Sequence, residues 1–487
     1  MTTLTTALGP IQGVERNAVR QFRGIRFGEP PTGDLRFRPP MPSVEWRDGW
    51  AGTLDATRFG NRAMQPPMSA VFGGPGPGDT DEDCLFLNVF TPAADGGDRP
   101  VLCWIHGGSY RDGSANDYNG SILAAQGDVV VVAVNYRLGA FGFLDVSSLD
   151  SSYAGSASNG LRDQTLALEW IRDHIADFGG DPGNVTIFGE SAGGGSVLGL
   201  LAAPAADDLF HRAIAHSPGG VNVPTRDEWA ERLASELGDE GAPLDRLRSA
   251  PARRLLDVQV ESAFMGGTID GTVVTRHPVD AIRDRGAAGV PLVVGSNLDE
   301  GTLFTIGLRD DRSTLDAMAH NVATEVTRNG DVESYLAQLR DRYPDADEYE
   351  VAVRVFTDLF RRTSVEAAHA ATEAGVGGWL YRFDLPTTMA DGRLGATHAA
   401  EIAFTFNWFG AAKPMGFAMY DRDDPVVIDL ARRWSDSVIA FARTGDPNDA
   451  SLRAWPRYDD RERPCLILDR NVRVEHDPDG VDRARWT

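Results

Sequence analysis

The sequence predicts an α/β fold with a mostly parallel central sheet, an N-terminal antiparallel edge, helices on both faces and helical insertions late in the chain. Two observations predict this fold class. Short apolar runs rich in branched residues alternate with stretches of helical periodicity from about residue 85 onward. Among them, one strand-like run leads through a glycine-flanked serine, Gly189–Gly193, directly into a helical pattern.

The first 60 residues form short β-like pieces that glycine and proline interrupt. Such interruptions favour hairpins and meandering loops, so we expect an antiparallel edge of the sheet here. Residues 65–80 are rich in glycine and proline and are expected to form a long surface loop.

The middle of the chain has the pattern of buried parallel strands joined by helices. Leu161, Leu168 and Ile171 recur at helical spacing, and the pair Gly179-Gly180 ends that helix. The predicted strands are Leu85–Thr91, Val101–Ile105, Val129–Asn135, the run that begins at Val185, Arg212–His216 and Pro291–Gly295.

Two late segments, 223–285 and 311–375, are mainly helical and are predicted as insertions that cover the site and shape its pocket. Trp379–Asp384 and Cys465–Asp469 are strand-like, with an amphipathic helix from Pro425 to Arg443 between them. The sequence has no internal repeat and no linker-like tract. We therefore expect residues 1–487 to fold as a single domain.

The composition limits the partners of the chain. A formal charge of −24 repels phosphate, which disfavours nucleic acid and anionic membrane surfaces. No apolar run reaches the roughly 20 residues of a membrane span, and Met1–Ala7 lacks the basic and apolar parts of a secretion signal. Three cysteines cannot form a disulfide framework. We expect a cytoplasmic protein, monomer or homodimer, that binds no membrane and no nucleic acid.

The stretch Val185–Gly194 has the G-x-S-x-G pattern of a nucleophile elbow, in which a serine on a tight strand-to-helix turn is exposed above the sheet. Gly189 and Gly193 suit this turn because the two backbones come too close for a Cβ. The amide of Ala192 would then lie beside the reacting oxygen, at the positive end of the helix. The alternative is a glycine-rich turn in which Ser191 only caps a helix.

A serine nucleophile needs a base and a carboxylate that orients the base. In α/β hydrolases these follow the serine in the order acid, then histidine. The predicted strand Pro291–Gly295 leads to Asp299 and Glu300, and chemistry alone does not choose between them. His398 lies in a turn-like loop after a strand, which suits a base. The other late histidines fall in helical patterns or in a polar tail, namely His320, His369 and His476.

An anion cradle for the tetrahedral intermediate is the third requirement. The run Ile105–Ser109 follows an early strand and contains an H-G-G sequence, whose consecutive backbone N–H groups would complement the amide of Ala192. A glycine pair after a strand is usually only a turn. Here the pair stands upstream of the elbow, where the mechanism needs it.

Together these motifs resemble the type B carboxylesterases, the α/β-hydrolase family that also includes the cholinesterases. The resemblance covers nearly the whole chain and rests on ordered blocks of sequence. The blocks are Phe22–Phe27, Pro30–Phe37, Glu82–Asn88, Asn135–Gly139, Asn159–Gln164, Phe178–Pro182, the elbow, Gly395–Glu401 and Thr444–Asn448.

The resemblance implies roles for single residues and resolves the choice of acid. Glu300, not Asp299, matches the family's triad carboxylate. The implied catalytic triad is Ser191, Glu300 and His398. The amides implied to bind the oxyanion are those of Gly108, Ser109 and Ala192, with Gly107 supporting the turn.

Other matches imply supporting roles. Glu190 and Glu401 match acidic positions that the family places near the site, and Arg36 with Glu82 resembles its structural ion pair. The family's extracellular members pair the cysteine that matches Cys84 with one upstream. Residues 62–65 offer no such cysteine, so a free thiol is expected. The implied mechanism requires no metal and no organic cofactor.

The expected function is hydrolysis of a small-molecule carboxylic ester by a serine hydrolase with a Ser-His-Glu triad, through an acyl-enzyme. A carbamate or amide hydrolase with the same triad is the alternative. A non-catalytic interaction module is less expected, because the serine, glutamate and histidine are all present. A cluster of aromatic residues follows the histidine and either lines a substrate pocket or belongs to the core. It comprises Phe404, Phe406, Trp408 and Phe409.

Overall fold

A single sheet runs through the computed structural model, which describes residues 1–67, 78–221, 228–259, 266–328, 330–409, 419–449, 451–452 and 454–486. The strands are β1 (Thr2–Thr6), β2 (Gly9–Arg16), β3 (Val19–Arg26), β4 (Leu54–Asp55), β5 (Phe86–Thr91), β6 (Arg99–Ile105), β7 (Val130–Val134), β8 (Gly180–Glu190), β9 (Arg212–His216), β10 (Leu292–Asn297), β11 (Gly378–Phe383), β12 (Pro464–Leu468) and β13 (Arg473–His476). They lie in the order β1-β2-β3-β5-β7-β6-β8-β9-β10-β11-β12-β13, and β4 pairs with β2.

The centre of the sheet is parallel and its two ends are antiparallel. From β7 through β6, β8, β9, β10 and β11 to β12 every pairing is parallel. Strands β1, β2, β3 and β5 and the last strand, β13, pair antiparallel, and the two-residue β4 pairs parallel with β2. This confirms the predicted mostly parallel sheet with an antiparallel N-terminal edge. Because parallel strands share a direction, their carboxyl ends and the loops after them gather at one edge.

The helices lie on both faces of the sheet. Along β6, Val101 and Cys103 belong to one buried apolar cluster, whereas Leu102 and Trp104 belong to another. The helices are α1 (Val44–Asp48), α2 (Ser121–Gly127), α3 (Gly139–Phe143), α4 (Asn159–His174), α5 (Ala192–Leu201), α6 (Glu228–Glu236), α7 (Pro243–Ser249), α8 (Ala252–Gln259), α9 (Pro278–Arg285), α10 (Thr302–Thr305), α11 (Arg312–Val326), α12 (Val332–Arg342), α13 (Glu348–Glu373), α14 (Ile402–Thr405), α15 (Pro425–Thr444) and α16 (Gly480–Arg483). In the described segments, no helix combines the length and the apolar character of a membrane span.

The described parts of both predicted insertions contain helices, although residues 266–277 of the first are irregular. The first, 223–285, contains α6 to α9, although 222–227 and 260–265 lie outside the described residues. The second, 311–375, contains α11 to α13, and α13 packs directly on β10 and β11. That long helix therefore belongs to the layer that covers the sheet. Most of the loop predicted at 65–80 also lies outside the described residues.

The C-terminal strand β13 differs from expectation. The segment around His476 was predicted as a polar tail, but Arg473–His476 pairs antiparallel with β12 at the edge of the sheet. Its side chains are half-buried or exposed, so the sequence lacks the apolar alternation that predicts a strand. The other predicted strands and helices occur, with ends shifted by a few residues at most.

Two smaller expectations are confirmed. Arg36 donates from Nε to Glu82 Oε2 at 2.7 Å, and a second bond joins the same two side chains. Arg36 also donates to the carbonyl oxygens of Leu247 and Ala250, so this pair ties the N-terminal region to α7. Cys84 is a free, buried thiol, as are the other two cysteines.

Candidate active site

Ser191 occupies a strained turn between β8 and α5. Its φ of 58° and ψ of −122° lie in a region that residues other than glycine rarely adopt. A Cβ on Gly193 would overlap the carbonyl oxygen of Ile105, and one on Gly189 would lie 2.5 Å from Gly193 O. These contacts explain why glycine flanks the serine on both sides. The turn is fixed by a bond from Ser191 N to His216 O at 3.0 Å.

The carboxylate bonded to Nδ1 of the histidine is Glu300, in the loop after β10. Nδ1 of His398 donates to Glu300 Oε2 at 2.5 Å. The other oxygen, Oε1, accepts from Asn297 N and from the Ser217 hydroxyl, each at 2.6 Å. Glu300 is fully buried, so these three donors replace the water that its charge would otherwise bind. Asp299 instead accepts from Ala396 N at 2.9 Å.

His398 lies in the loop after β11, and its ring packs against two aromatic side chains. The ring centroids of Phe360 and Phe304 lie 4.4 and 5.0 Å away. Nε2 lies 3.1 Å from Glu190 Oε1 but makes no hydrogen bond of good geometry with any described residue. The imidazole is thus fixed on its Nδ1 side and faces Glu190 on the other.

Ser191 and Glu190 both border Gly107, in the loop after β6. A Cβ on Gly107 would lie 3.0 Å from Ser191 Cβ and 3.0 Å from Glu190 Oε2. The site therefore joins Glu300 to His398 directly, and Glu190 lies against both the imidazole and the H-G-G loop. No bond between the Ser191 hydroxyl and His398 is present in the described structure.

The titratable groups of the site perturb one another. Burial raises the pKa of Glu190 and of Glu401. Burial alone would lower the pKa of His398, but the carboxylates of Glu190 and Glu300 outweigh that effect and raise it. The raised pKa values of both groups favour a proton in the contact between His398 Nε2 and Glu190.

Glu401 lies behind Glu300 and does not face the imidazole. Its Oε2 accepts from Asn297 Nδ2 at 2.6 Å, and its Oε1 lies 3.3 Å from Ser217 Oγ. Asn297 and Ser217 thus connect the two carboxylates. The link runs through the hydroxyl of Ser217 and through the side chain and backbone N–H of Asn297.

The H-G-G loop after β6 turns sharply beside the elbow. Gly108, Ser109 and Tyr110 have φ values of 110°, 54° and 56°, a run of left-handed residues. In the described segments, the amides of Gly108, Ser109 and Ala192 donate no hydrogen bond. Ala192 begins α5, whose N-terminus carries partial positive charge. These N–H groups remain available to an anion.

Several contacts of the site were not predicted from the sequence. Ser217 follows β9, and Asn297 ends β10. Both lie at the carboxyl ends of parallel strands, as the predicted site residues do, so the same sequence argument could have identified them. Phe360 is one apolar residue among many on α13, and nothing in the sequence marks it. The aromatic group after the histidine is mostly core, because Phe404 and Phe406 are fully buried and contact Phe383 and Trp104.

Comparison with known proteins shows the family of the chain. The chain matches the carboxylesterase family model over residues 1–486. It is 36% identical over 500 residues to the para-nitrobenzyl esterase of Bacillus subtilis, covering 99% of this chain and 98% of that protein. It is 35% identical over 519 residues to the phenmedipham hydrolase of Pseudarthrobacter oxydans, covering 98% and 97%.

Solved structures give the same result. A carboxylesterase of Geobacillus stearothermophilus superposes with a TM-score of 0.86 at 35% identity, covering 100% of both chains. A para-nitrobenzyl esterase structure superposes with a TM-score of 0.87 at 35% identity, covering 100% of this chain and 99% of that one. The chain belongs to the carboxylesterase family, type B, and is a carboxylic ester hydrolase with an α/β-hydrolase fold.

Proposed function

We propose that the protein hydrolyses small-molecule carboxylic esters through an acyl-enzyme. Ser191 is the nucleophile, His398 the general base and acid, and Glu300 the carboxylate that orients the imidazole. The observation that carries the proposal is the 2.5 Å contact between His398 Nδ1 and Glu300 Oε2, in a site that also holds Ser191 in a strained turn. With Nδ1 bound to the carboxylate, Nε2 is left to accept a proton.

The first half of the reaction acylates the serine. Ser191 Oγ bonds to the ester carbonyl carbon as its proton passes to His398 Nε2, and the carbonyl oxygen becomes an oxyanion. The amides of Gly108, Ser109 and Ala192 donate to that oxyanion. The intermediate then breaks its bond to the alcohol oxygen, which takes the proton from Nε2 and leaves as the alcohol.

The second half uses water in place of the serine. A water molecule gives a proton to Nε2 and attacks the acyl carbon, and collapse of the second intermediate returns the proton to Ser191 Oγ as the acid leaves. Glu300 holds the imidazole through both halves of the reaction. In the resting structure Nε2 faces Glu190, so the Ser191 hydroxyl and Nε2 must come into hydrogen-bond contact when substrate binds. Catalytic hydrogen bonds are often long or misaligned without substrate.

Glu190, Glu401 and Gly107 support these groups. Glu190 stabilises the imidazolium that forms when Nε2 takes the proton. Glu401 orders Ser217 and Asn297, which hold Glu300. Gly107 lets the loop approach the elbow, since a side chain there would crowd Ser191.

Hydrolysis of a matched substrate series tests the function. We expect the protein to cleave p-nitrophenyl esters of increasing acyl length, and p-nitrobenzyl esters, with larger kcat/KM than the p-nitrophenyl carbamate or the p-nitroanilide of matched size. The ester carbonyl is more electrophilic than either, and the same triad serves all three. A carbamate or anilide that is cleaved faster than every ester would favour the alternative substrate class.

The pH dependence of kcat/KM tests the proposed base. His398 must be neutral to accept the serine proton, and its neighbouring carboxylates raise its pKa, so activity should be lost as pH falls, with a midpoint above the usual value of about 6.5. Glu190→Gln removes one of these charges and should move the midpoint to lower pH. A profile that is flat from about pH 5 to 8, with chemistry rate-limiting, would contradict a histidine base.

A further inference from the structure

Asp299, the carboxylate next to the proposed triad acid, is bonded to the loop that carries His398. Its backbone N–H donates to Ala396 O at 3.0 Å, and its side-chain Oδ2 accepts from Ala396 N at 2.9 Å. One residue thus satisfies both backbone polar groups of Ala396, two positions before the histidine. Glu300 contacts the imidazole and Asp299 contacts the loop, so two adjacent carboxylates face different targets.

The loop fits closely around the Asp299 side chain. Gly395 has a φ of 61°, and a Cβ built on it would overlap Asp299 Oδ2. A glycine at this point allows the backbone to approach the carboxylate. The Asp299 side chain and the loop therefore fit each other in shape as well as in hydrogen bonding.

A second set of bonds joins the same two segments. Thr302 Oγ1 lies 2.7 Å from Leu394 O and 2.7 Å from Thr397 Oγ1. Asn297 Nδ2 donates to Thr397 O at 2.7 Å. Residues 297–302, which include Glu300, therefore hold the backbone of residues 394–397 at several points. A displacement of this loop moves the imidazole relative to Glu300.

We propose that Asp299 is a positioning residue, which fixes the loop 394–398 against the segment that carries Glu300 and so sets the geometry of the His398–Glu300 pair. The inference rests on the proposed function, because it presupposes that this pair is catalytic. Misplacing a catalytic group by about 1 Å can cost about 10²-fold in rate. The hydrogen bonds of Asp299 hold the loop that carries the imidazole, so their loss should affect turnover more than substrate binding.

Two substitutions of Asp299 separate positioning from charge. Asp299→Ala removes the acceptor for Ala396 N, and kcat should fall about 10- to 100-fold while KM changes less than about threefold. The midpoint of the pH profile should also fall, because an imidazole displaced from Glu300 loses a carboxylate that raises its pKa. Asp299→Asn keeps an oxygen acceptor, so it should restore most of the turnover and the original midpoint.

Controls distinguish this effect from general damage. Asp331→Ala, at the N-cap of α12, also removes a carboxylate-to-amide bond, to Ser334 N at 2.9 Å, and should leave kcat unchanged. Gly395→Ala disturbs the same contact from the other side and should lower kcat. The Gly395→Ala and Asp299→Ala losses should combine less than additively, as expected for residues in contact.

The possible results distinguish an error in the positioning role of Asp299 from an error in the proposed triad. If Asp299→Ala has wild-type kcat and pH midpoint while Glu300→Gln is inactive, the triad stands and the positioning role is wrong. If both Asp299 variants are inactive and Glu300→Gln is active, Asp299 is itself the acid and the proposed triad is wrong. If Asp299→Ala does not fold, Thr302→Val removes the neighbouring bond to Leu394 and must show the same loss of kcat with little change in KM.

Discussion

Ser191→Ala is expected to reduce kcat by about 10⁴- to 10⁶-fold, the largest effect of any single substitution in this chain. The change removes only the hydroxyl that forms the acyl bond. Alanine has the same Cβ as serine, so it meets the same strain at a φ of 58° and should keep the turn. The amides of Gly108, Ser109 and Ala192 remain, which accounts for residual activity. Hydrolysis of a p-nitrophenyl ester measures the loss, and thermal melting checks the fold.

Covalent labelling gives an independent measure of the same assignment. An organophosphonate should modify the wild-type protein once, on Ser191, and should not modify Ser191→Ala. The label is located by peptide mass spectrometry. Near-normal turnover in the variant, or inactivation with the label on a different residue, would show that another side chain is the nucleophile.

Glu300→Gln should lower kcat by about 10³- to 10⁴-fold, the second-largest effect. The two oxygens of Glu300 have different partners, because Oε1 accepts from Asn297 N and Ser217 Oγ whereas Oε2 accepts from His398 Nδ1. The glutamine carbonyl should take the place of Oε1, which directs its NH₂ group at the imidazole. Nδ1 must then accept, so the proton resides on Nε2 and the ring cannot take one from the serine.

Glu401→Gln is the matched control, since it changes another buried carboxylate of the same cluster that does not contact the imidazole. It weakens a hydrogen bond worth about 1 kcal/mol, so the expected loss in kcat is less than about tenfold. Steady-state kinetics on the same ester compares the two variants. Equal losses of kcat in both variants would mean that the effect of Glu300→Gln does not come from its contact with the imidazole. Retention of wild-type kcat in Glu300→Gln would remove that residue from the triad.

Much of the site could be predicted from the sequence because it depends on topology. Ser191, Glu300 and His398 each follow a strand of the parallel sheet, and such strands end at one edge. The strands themselves have strong apolar patterns. The choice between Asp299 and Glu300 could not be made in this way. Both follow the same strand, and the direction of each side chain in a tight turn depends on the backbone there.

The contacts that the sequence did not predict come from packing between distant segments. Phe360 reaches the imidazole because α13 packs on β10 and β11, which no local pattern encodes. The contact between Glu190 and Nε2 of His398 likewise depends on how two loops meet across the edge. β13 was missed for a related reason, because a half-exposed edge strand gains its order from its partner.

The approach of His398 Nε2 to Glu190 Oε1 at 3.1 Å has an energetic consequence for substrate choice. In the proposed mechanism Nε2 must leave this contact before it accepts the serine proton, so the reactive arrangement is not the resting one. Part of the intrinsic affinity of every substrate is spent in displacing that carboxylate. A molecule that fits well can supply this free energy and a poorly fitting one cannot, so the contact between Nε2 and Glu190 favours well-fitting substrates.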